Sequence, residues 1–194
     1  PNPSDYGVAE MDGERIKLKK GQSVYIAFNK PKGVTSTTDP KDRSNIIYFI
    51  NHPKRIFPIG RLDKDSEGLI LLTNDGDIVN KILRAGNEHE KEYVVTTTSK
   101  LASDFVEHMS GGVDIGDYIT KPCKVEKIDD RTFRITLQEG KKHQIRRMVD
   151  AQKNGVDTLT RVRIMNIELG SLVEGALREI KGGELGTLLK SLGL

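Results

Sequence analysis

Phe57-Pro-Ile-Gly-Arg-Leu-Asp-Lys-Asp-Ser-Glu-Gly-Leu-Ile-Leu-Leu-Thr-Asn-Asp-Gly76 is the stretch from which the rest of the chain is read. Its centre, Gly60-Arg61-Leu62-Asp63, sets a carboxylate beside an arginine at a turn between two apolar runs. Leu69 to Thr73 is continuously apolar over strand length, the pattern of a buried strand. Asn74-Asp-Gly76 punctuates it, and Ile78, Val79, Ile82 and Leu83 then recur at helical spacing. A carboxylate held at such a turn can act.

Outward from this centre the signals alternate. Ser23 to Phe28 is β-branched and aromatic, a strand that ends in the turn Asn29-Lys-Pro-Lys-Gly33. Ser44 to Ile50 reads as a short helix with Ser44 as its N-cap. Glu92 to Thr98 reads as a strand. Ser99 to Ser110 reads as a helix with Leu101, Phe105 and Met109 on one face, stopped by Gly111-Gly112. Lys124 to Ile128 and Thr132 to Gln138 alternate with period two around Asp129-Asp-Arg131, a hairpin. Gln144 to Lys153 is helical, with Ile145, Met148 and Val149 inward and Asn154-Gly155 as a left-handed end cap. Arg161 to Leu169 alternates again, and Glu184 to Leu192 closes as a short helix. The mixture predicts an α+β fold of antiparallel hairpins with outer helices, without a βαβ repeat.

A chain of 194 residues, 36% hydrophobic and 30% charged, suffices for a buried core and is not that of a disordered protein. No apolar run approaches membrane-spanning length. The one cysteine, Cys123, cannot form an intramolecular disulfide, which fits a reducing cytosol and a cytoplasmic location. His52, His89, His108 and His143 are scattered without a paired spacing, so no metal is expected. Pro1-Asn-Pro-Ser reads as a fragment end and not as a targeting segment. Charge is segregated. Residues 30–61 hold seven bases against two acids, residues 62–130 hold eight against fifteen, and residues 131–163 hold nine against three. If the fold joins the two basic blocks they form a cationic cleft for a phosphate backbone; the competing reading is two solvated faces.

Gly60-Arg61-Leu62-Asp63 with Gly68-Leu69, then Lys91-Glu-Tyr93-Val-Val95, then Gln144-Ile-Arg146-Arg-Met148 resembles the motif series of the RNA pseudouridine synthases, in order and spacing. Phe57 to Asp63, Asn80 to Gly86, His89 to Tyr93 and Arg161 to Asn166 are similar to the RsuA-like branch, and within it to members acting on large-subunit ribosomal RNA. The likeness covers roughly residues 24 to 180. It implies a central mixed sheet with flanking helices and an active-site cleft across it, an RNA substrate, and no cofactor. Residues 23–194 would form the catalytic domain and residues 1–22 a linker or tail. That tail is too short for the S4-type RNA-binding domain usual in the branch, so weaker RNA affinity is expected. A monomer without membrane contact is expected as well.

Breaking a glycosidic bond builds positive charge on the sugar, which a carboxylate near C1′ can stabilise or capture. Asp63 is the candidate, by attack on C1′ or by removal of the 2′ proton to give a glycal, and its competing reading is a turn aspartate capping Asp63-Lys-Asp-Ser66. Such a carboxylate needs a fixed cation. Arg146 suits this through its rigid fork, the family arginine makes this pair, and the alternative is a phosphate-binding helix arginine. By the resemblance Tyr93 lies against the target uracil and assists at C5; the plain reading is a half-buried strand tyrosine, with Lys91 on the same strand face. Ile145 walls the pocket or merely packs the core. A base in a stem must be flipped out, and Arg61 can stack on it or grip the displaced phosphate. Lys30, Lys32, Lys91, Lys141, Lys142, Gln144, Arg147, Arg161 and Arg163 complete the expected RNA-binding set. Small-subunit ribosomal RNA or transfer RNA as substrate, a non-catalytic RNA-binding module, and a ribonuclease are the alternatives; a ribonuclease would want a histidine pair or a metal.

Overall fold

The computed structural model of the chain describes residues 23–85 and 89–194; the tail assigned to residues 1–22 lies outside the described residues. The strands are β1 (Tyr25–Lys30), β2 (Phe57–Ile59), β3 (Glu67–Thr73), β4 (Lys91–Thr97), β5 (Lys124–Asp129), β6 (Thr132–Leu137), β7 (Val156–Ile164), β8 (Ile167–Glu168) and β9 (Leu177–Glu179). The helices are α1 (Ile46–Ile50), α2 (Gly76–Ala85), α3 (Phe105–Ser110), α4 (Gln144–Ala151) and α5 (Gly182–Ser191). Among the described residues all nine strands join one sheet in the order β5-β6-β4-β7-β3-β1-β9, with β2 on β3 and β8 on β7. The pairings are antiparallel except β3 with β7. This is the expected α+β architecture, and no described helix is long and apolar enough to cross a membrane.

The apolar run in β3 is explained by burial on both faces. Leu69 and Leu71 pack with Ala27, Ile164, Ile180 and Leu188 on one side; Ile70 and Leu72 pack with Ile26, Phe28 and Ile46 on the other. A third cluster sets Phe105 and Met109 of α3, with Ile145, Met148 and Val149 of α4, against Val95, Phe133 and Leu159 of the sheet. The two halves of the sheet meet at the short parallel contact of β3 and β7, where Gly68 is in register with Arg161. Gly68 has φ +109, and a Cβ there would lie 2.3 Å from the Arg161 carbonyl oxygen, so only glycine permits this approach. The contact fixes the Asp63 loop, just before β3, against β7.

Several boundaries differ from the sequence reading. β1 begins at Tyr25 and runs to Lys30 because its antiparallel register with β3 extends to Lys30 opposite Gly68. Asn45, not Ser44, caps α1, its Oδ1 accepting from the Tyr48 N–H at 2.6 Å. The helix expected from Ser99 shrinks to Phe105–Ser110. Its first residues are held elsewhere: Leu101 N–H donates to Asp130 O at 2.8 Å, and Asn154 bonds both backbone groups of Ser99. At the end of α4 the left-handed residue is Lys153, φ 59, and neither Asn154 nor Gly155. β7 starts at Val156 because it pairs with β4 over most of that strand.

Candidate active site

The loop between β2 and β3 is anchored at Leu62 and Ser66, and the residues between them face outward. Leu62 and Ser66 are buried while Asp63 between them is exposed. Gly60 takes φ +77 to start the turn, a conformation costly for any residue with a Cβ. The Leu62 peptide is clamped by Ser36, whose buried hydroxyl accepts from Leu62 N–H at 3.1 Å and donates to Leu62 O at 2.8 Å. Gly33 N–H donates to Lys64 O at 2.8 Å. The segment after β1 thus grips the backbone on both sides of Asp63. Ser36→Ala is expected to lower stability by about 1 to 2 kcal/mol, because two buried backbone groups lose their partner. Denaturant midpoints check it.

Asp63 borders a cleft of about 690 Å³. Tyr93 and Lys91 of β4, Arg146 and Ile145 of α4, Arg61, Lys141, Lys142, Gln144 and Arg161 border the same cleft. The three residues assigned to chemistry therefore border one cleft; the second basic block lines it with Lys141, Lys142, Arg146 and Arg161, whereas Arg61 alone of the first reaches it. Tyr93 is half-buried and packs on the α3/α4 cluster. Ile145 is 5% exposed and serves both cleft wall and core. Burial, reinforced by the like charge of Arg161, lowers the pKa of Lys91.

Arg146 does not pair with Asp63. Its Nη2 donates to Asp65 O at 3.1 Å and to Ser66 Oγ at 3.2 Å, so the guanidinium braces the loop that carries Asp63. Asp63 instead faces His143, whose Nε2 lies 3.8 Å from Oδ2. Sequence reasoning passed over His143, although it directly precedes Gln144-Ile-Arg146. It also missed Glu139, which is buried and accepts from Tyr118 Oη at 2.6 Å, Lys121 N at 2.8 Å and Gln144 Nε2 at 3.1 Å. Burial acts to raise the Glu139 pKa, but these bonds and the Lys121 charge outweigh it and hold it below the usual range.

Several residues expected to meet RNA do other work. Lys30 is fully buried, and its ammonium donates to Val34 O at 2.7 Å, Pro31 O at 3.0 Å and Lys64 O at 3.3 Å. A lysine satisfied by three carbonyls has no donor left for a phosphate. Gln144 is also buried; it ties Glu139 to Lys141 N–H. Arg161 is 4% exposed, its Nε donating to Leu69 O at 2.8 Å and Nη1 to Arg61 O at 3.3 Å, a strut under the cleft. Arg147 pairs with Asp117 at 2.7 Å, and Arg163 pairs with Glu90 and Glu92 beside a second, smaller pocket. Lys32 is exposed on the loop after β1, away from the cleft lining. Arg61, Lys91, Lys141 and Lys142 remain as its lining cations with Arg146. Among the described residues no group of three His, Cys, Asp or Glu is placed to hold a metal ion.

Burial moves Lys30 down to about 8 from 10.5, with the charges of Asp63, Glu67 and Asp65 opposing the fall. Above pH 8 the unfolded chain therefore binds more protons at this site than the folded chain, so the Lys30 contribution to stability rises with pH between about 8 and 10.5. Cys123 works in the other direction above pH 9, because burial pushes its thiol up to about 11. Unfolding free energies at pH 8 and pH 9 for wild type and Lys30→Met are expected to show a rise that the variant lacks.

The RNA pseudouridylate synthase family matches residues 24–151. The dual-specificity RNA pseudouridine synthase RluF of Escherichia coli K12 is 50% identical over 94% of this chain, which spans 63% of that relative's length. An uncharacterized RNA pseudouridine synthase of Aquifex aeolicus is 34% identical, covering all of this chain and 79% of the relative. A pseudouridylate synthase crystal structure superposes with a TM-score of 0.77 at 33% identity, over 86% of this chain and 74% of the other.

Proposed function

Because this chain belongs to the RNA pseudouridine synthase family, we propose that it isomerises uridine to pseudouridine in a stem-loop of large-subunit ribosomal RNA. The observation that carries this reading is the convergence of Asp63, Tyr93 and Arg146 on one cation-lined cleft. A non-catalytic RNA-binding module would have use for Arg61, Lys141 and Lys142 but none for a carboxylate projected into their midst by a clamped loop.

In this reading the target uridine leaves its stem and enters the cleft. The C1′–N1 bond breaks with its electron pair going to the uracil, and Asp63 stabilises the charge left on the sugar or captures C1′. The detached uracil turns against Tyr93, C5 bonds to C1′, the C5 proton is lost, and N1 gains one. Arg146 keeps the Asp63 loop in place through Asp65 and Ser66. The lining cations hold flanking phosphates, which makes binding fall steeply with salt. The reaction needs neither metal nor cofactor, and the cytosol and a monomeric state complete the proposal. The dual specificity in the name of the Escherichia coli relative extends it to a second RNA, small-subunit ribosomal RNA or transfer RNA being the alternatives.

The test is release of tritium from RNA labelled at uracil C5, with fragments of large-subunit, small-subunit and transfer RNA run in parallel. Release from a large-subunit stem-loop, with the RNA intact on a denaturing gel, is the expected result. Binding without release from any of the three would leave only the binding-module reading.

A further inference from the structure

His143 is built into the site more firmly than a surface histidine would be. It precedes α4 in the left-handed conformation, φ 51 and ψ 34, a region that costs a non-glycine residue about 1 kcal/mol or more and persists where surroundings enforce it. The enforcement comes from both sides. Gln144 N–H donates to Lys141 O, Lys141 N–H donates to Gln144 Oε1, and the Arg147 guanidinium donates twice to Lys142 O. Glu139, buried below, fixes Gln144 in turn. The product of this bracing is an imidazole whose Nε2 faces Asp63 Oδ2 at 3.8 Å, while Arg146 is engaged with the Asp63 loop backbone. Both side chains are about half exposed, so a nucleotide entering the cleft would cover them together.

We propose that His143 is a positioning residue for pseudouridine formation, its Nε2–H orienting the Asp63 carboxylate toward the sugar, with the gap closing to hydrogen-bond length once RNA excludes water. A donor separated by this distance in the free enzyme commonly tightens in the complex. Either the neutral Nε2–H tautomer or the imidazolium can make the bond. The inference rests on Asp63 being the carboxylate of the reaction proposed above.

The experiment compares wild type, His143→Asn and His143→Gln in tritium release from the RNA that wild type modifies. Asparagine tolerates the left-handed backbone but is too short to reach Asp63. Glutamine restores an N–H at greater length. Expected are a kcat about tenfold lower for His143→Asn at nearly unchanged KM, and recovery to within about threefold of wild type for His143→Gln. A His143→Asn kcat within twofold of wild type, a loss confined to KM, or no recovery with glutamine would each overturn the proposal. An inactive wild type would instead overturn the reading of Asp63.

Discussion

Asp63→Asn is expected to fold and bind RNA like wild type while forming pseudouridine at least about a thousandfold more slowly. The substitution is nearly isosteric and falls on an exposed side chain, so neither the buried Leu62 nor the Ser36 clamp is disturbed. In the proposed reaction, what it removes is the negative charge that meets the electron-poor sugar when C1′ parts from N1. Removing one anion from a cleft lined by Arg61, Lys91, Lys141 and Lys142 should leave RNA affinity unchanged or slightly tighter. Single-turnover rates with filter-binding affinities on the same RNA separate the two effects. Equal rates for variant and wild type would remove Asp63 from the chemistry.

Gly68→Ala should destabilise the protein by about 3 kcal/mol or more, the largest stability effect expected of any single methyl group here. Two penalties coincide at this position. The residue has φ +109, and the added Cβ would sit 2.3 Å from the Arg161 carbonyl oxygen and 2.7 Å from its nitrogen, both backbone atoms that cannot swing away. Relief requires β3 and β7 to part, which would also pull the Asp63 loop from the Arg161 strut. Gly170→Ala is the control: φ is also positive, +56, but nothing lies within 4 Å, so only the backbone cost of about 1 kcal/mol applies. Urea midpoints of the two variants should differ accordingly. Similar midpoints would mean that the sheet junction yields easily.

The fold was legible where one physical cause dominates. The run Leu69 to Leu72 reads as a buried strand and is one, covered on both faces, and the alternation within Thr132 to Leu137 reads as a strand and is half-buried. The strands β2 and β9, three residues each, are too short to carry a periodic signal. At the site, Asp63, Tyr93 and Arg146 were identifiable by motif, but their partners were not. A lysine in Asn29-Lys-Pro-Lys reads as basic surface, and only the folded chain turns Pro31, Val34 and Lys64 carbonyls onto the Lys30 ammonium. Arg161 sits in an alternating segment where a strut and a phosphate contact leave the same pattern. His143 was counted as one of four scattered histidines, since its value depends on a loop 80 residues away in sequence. Spacing marks candidate residues, and tertiary contacts decide which of them border the cleft and which are engaged elsewhere.

The most direct measurement is a crystal structure of the chain bound to its stem-loop with 5-fluorouridine at the target position. The account predicts the nucleotide flipped into the cleft, its C1′ within about 3.5 Å of an Asp63 carboxylate oxygen, or bonded to it, and its base against Tyr93. A target nucleotide still stacked in its stem, or a sugar resting on another face while Asp63 meets only solvent, would contradict it.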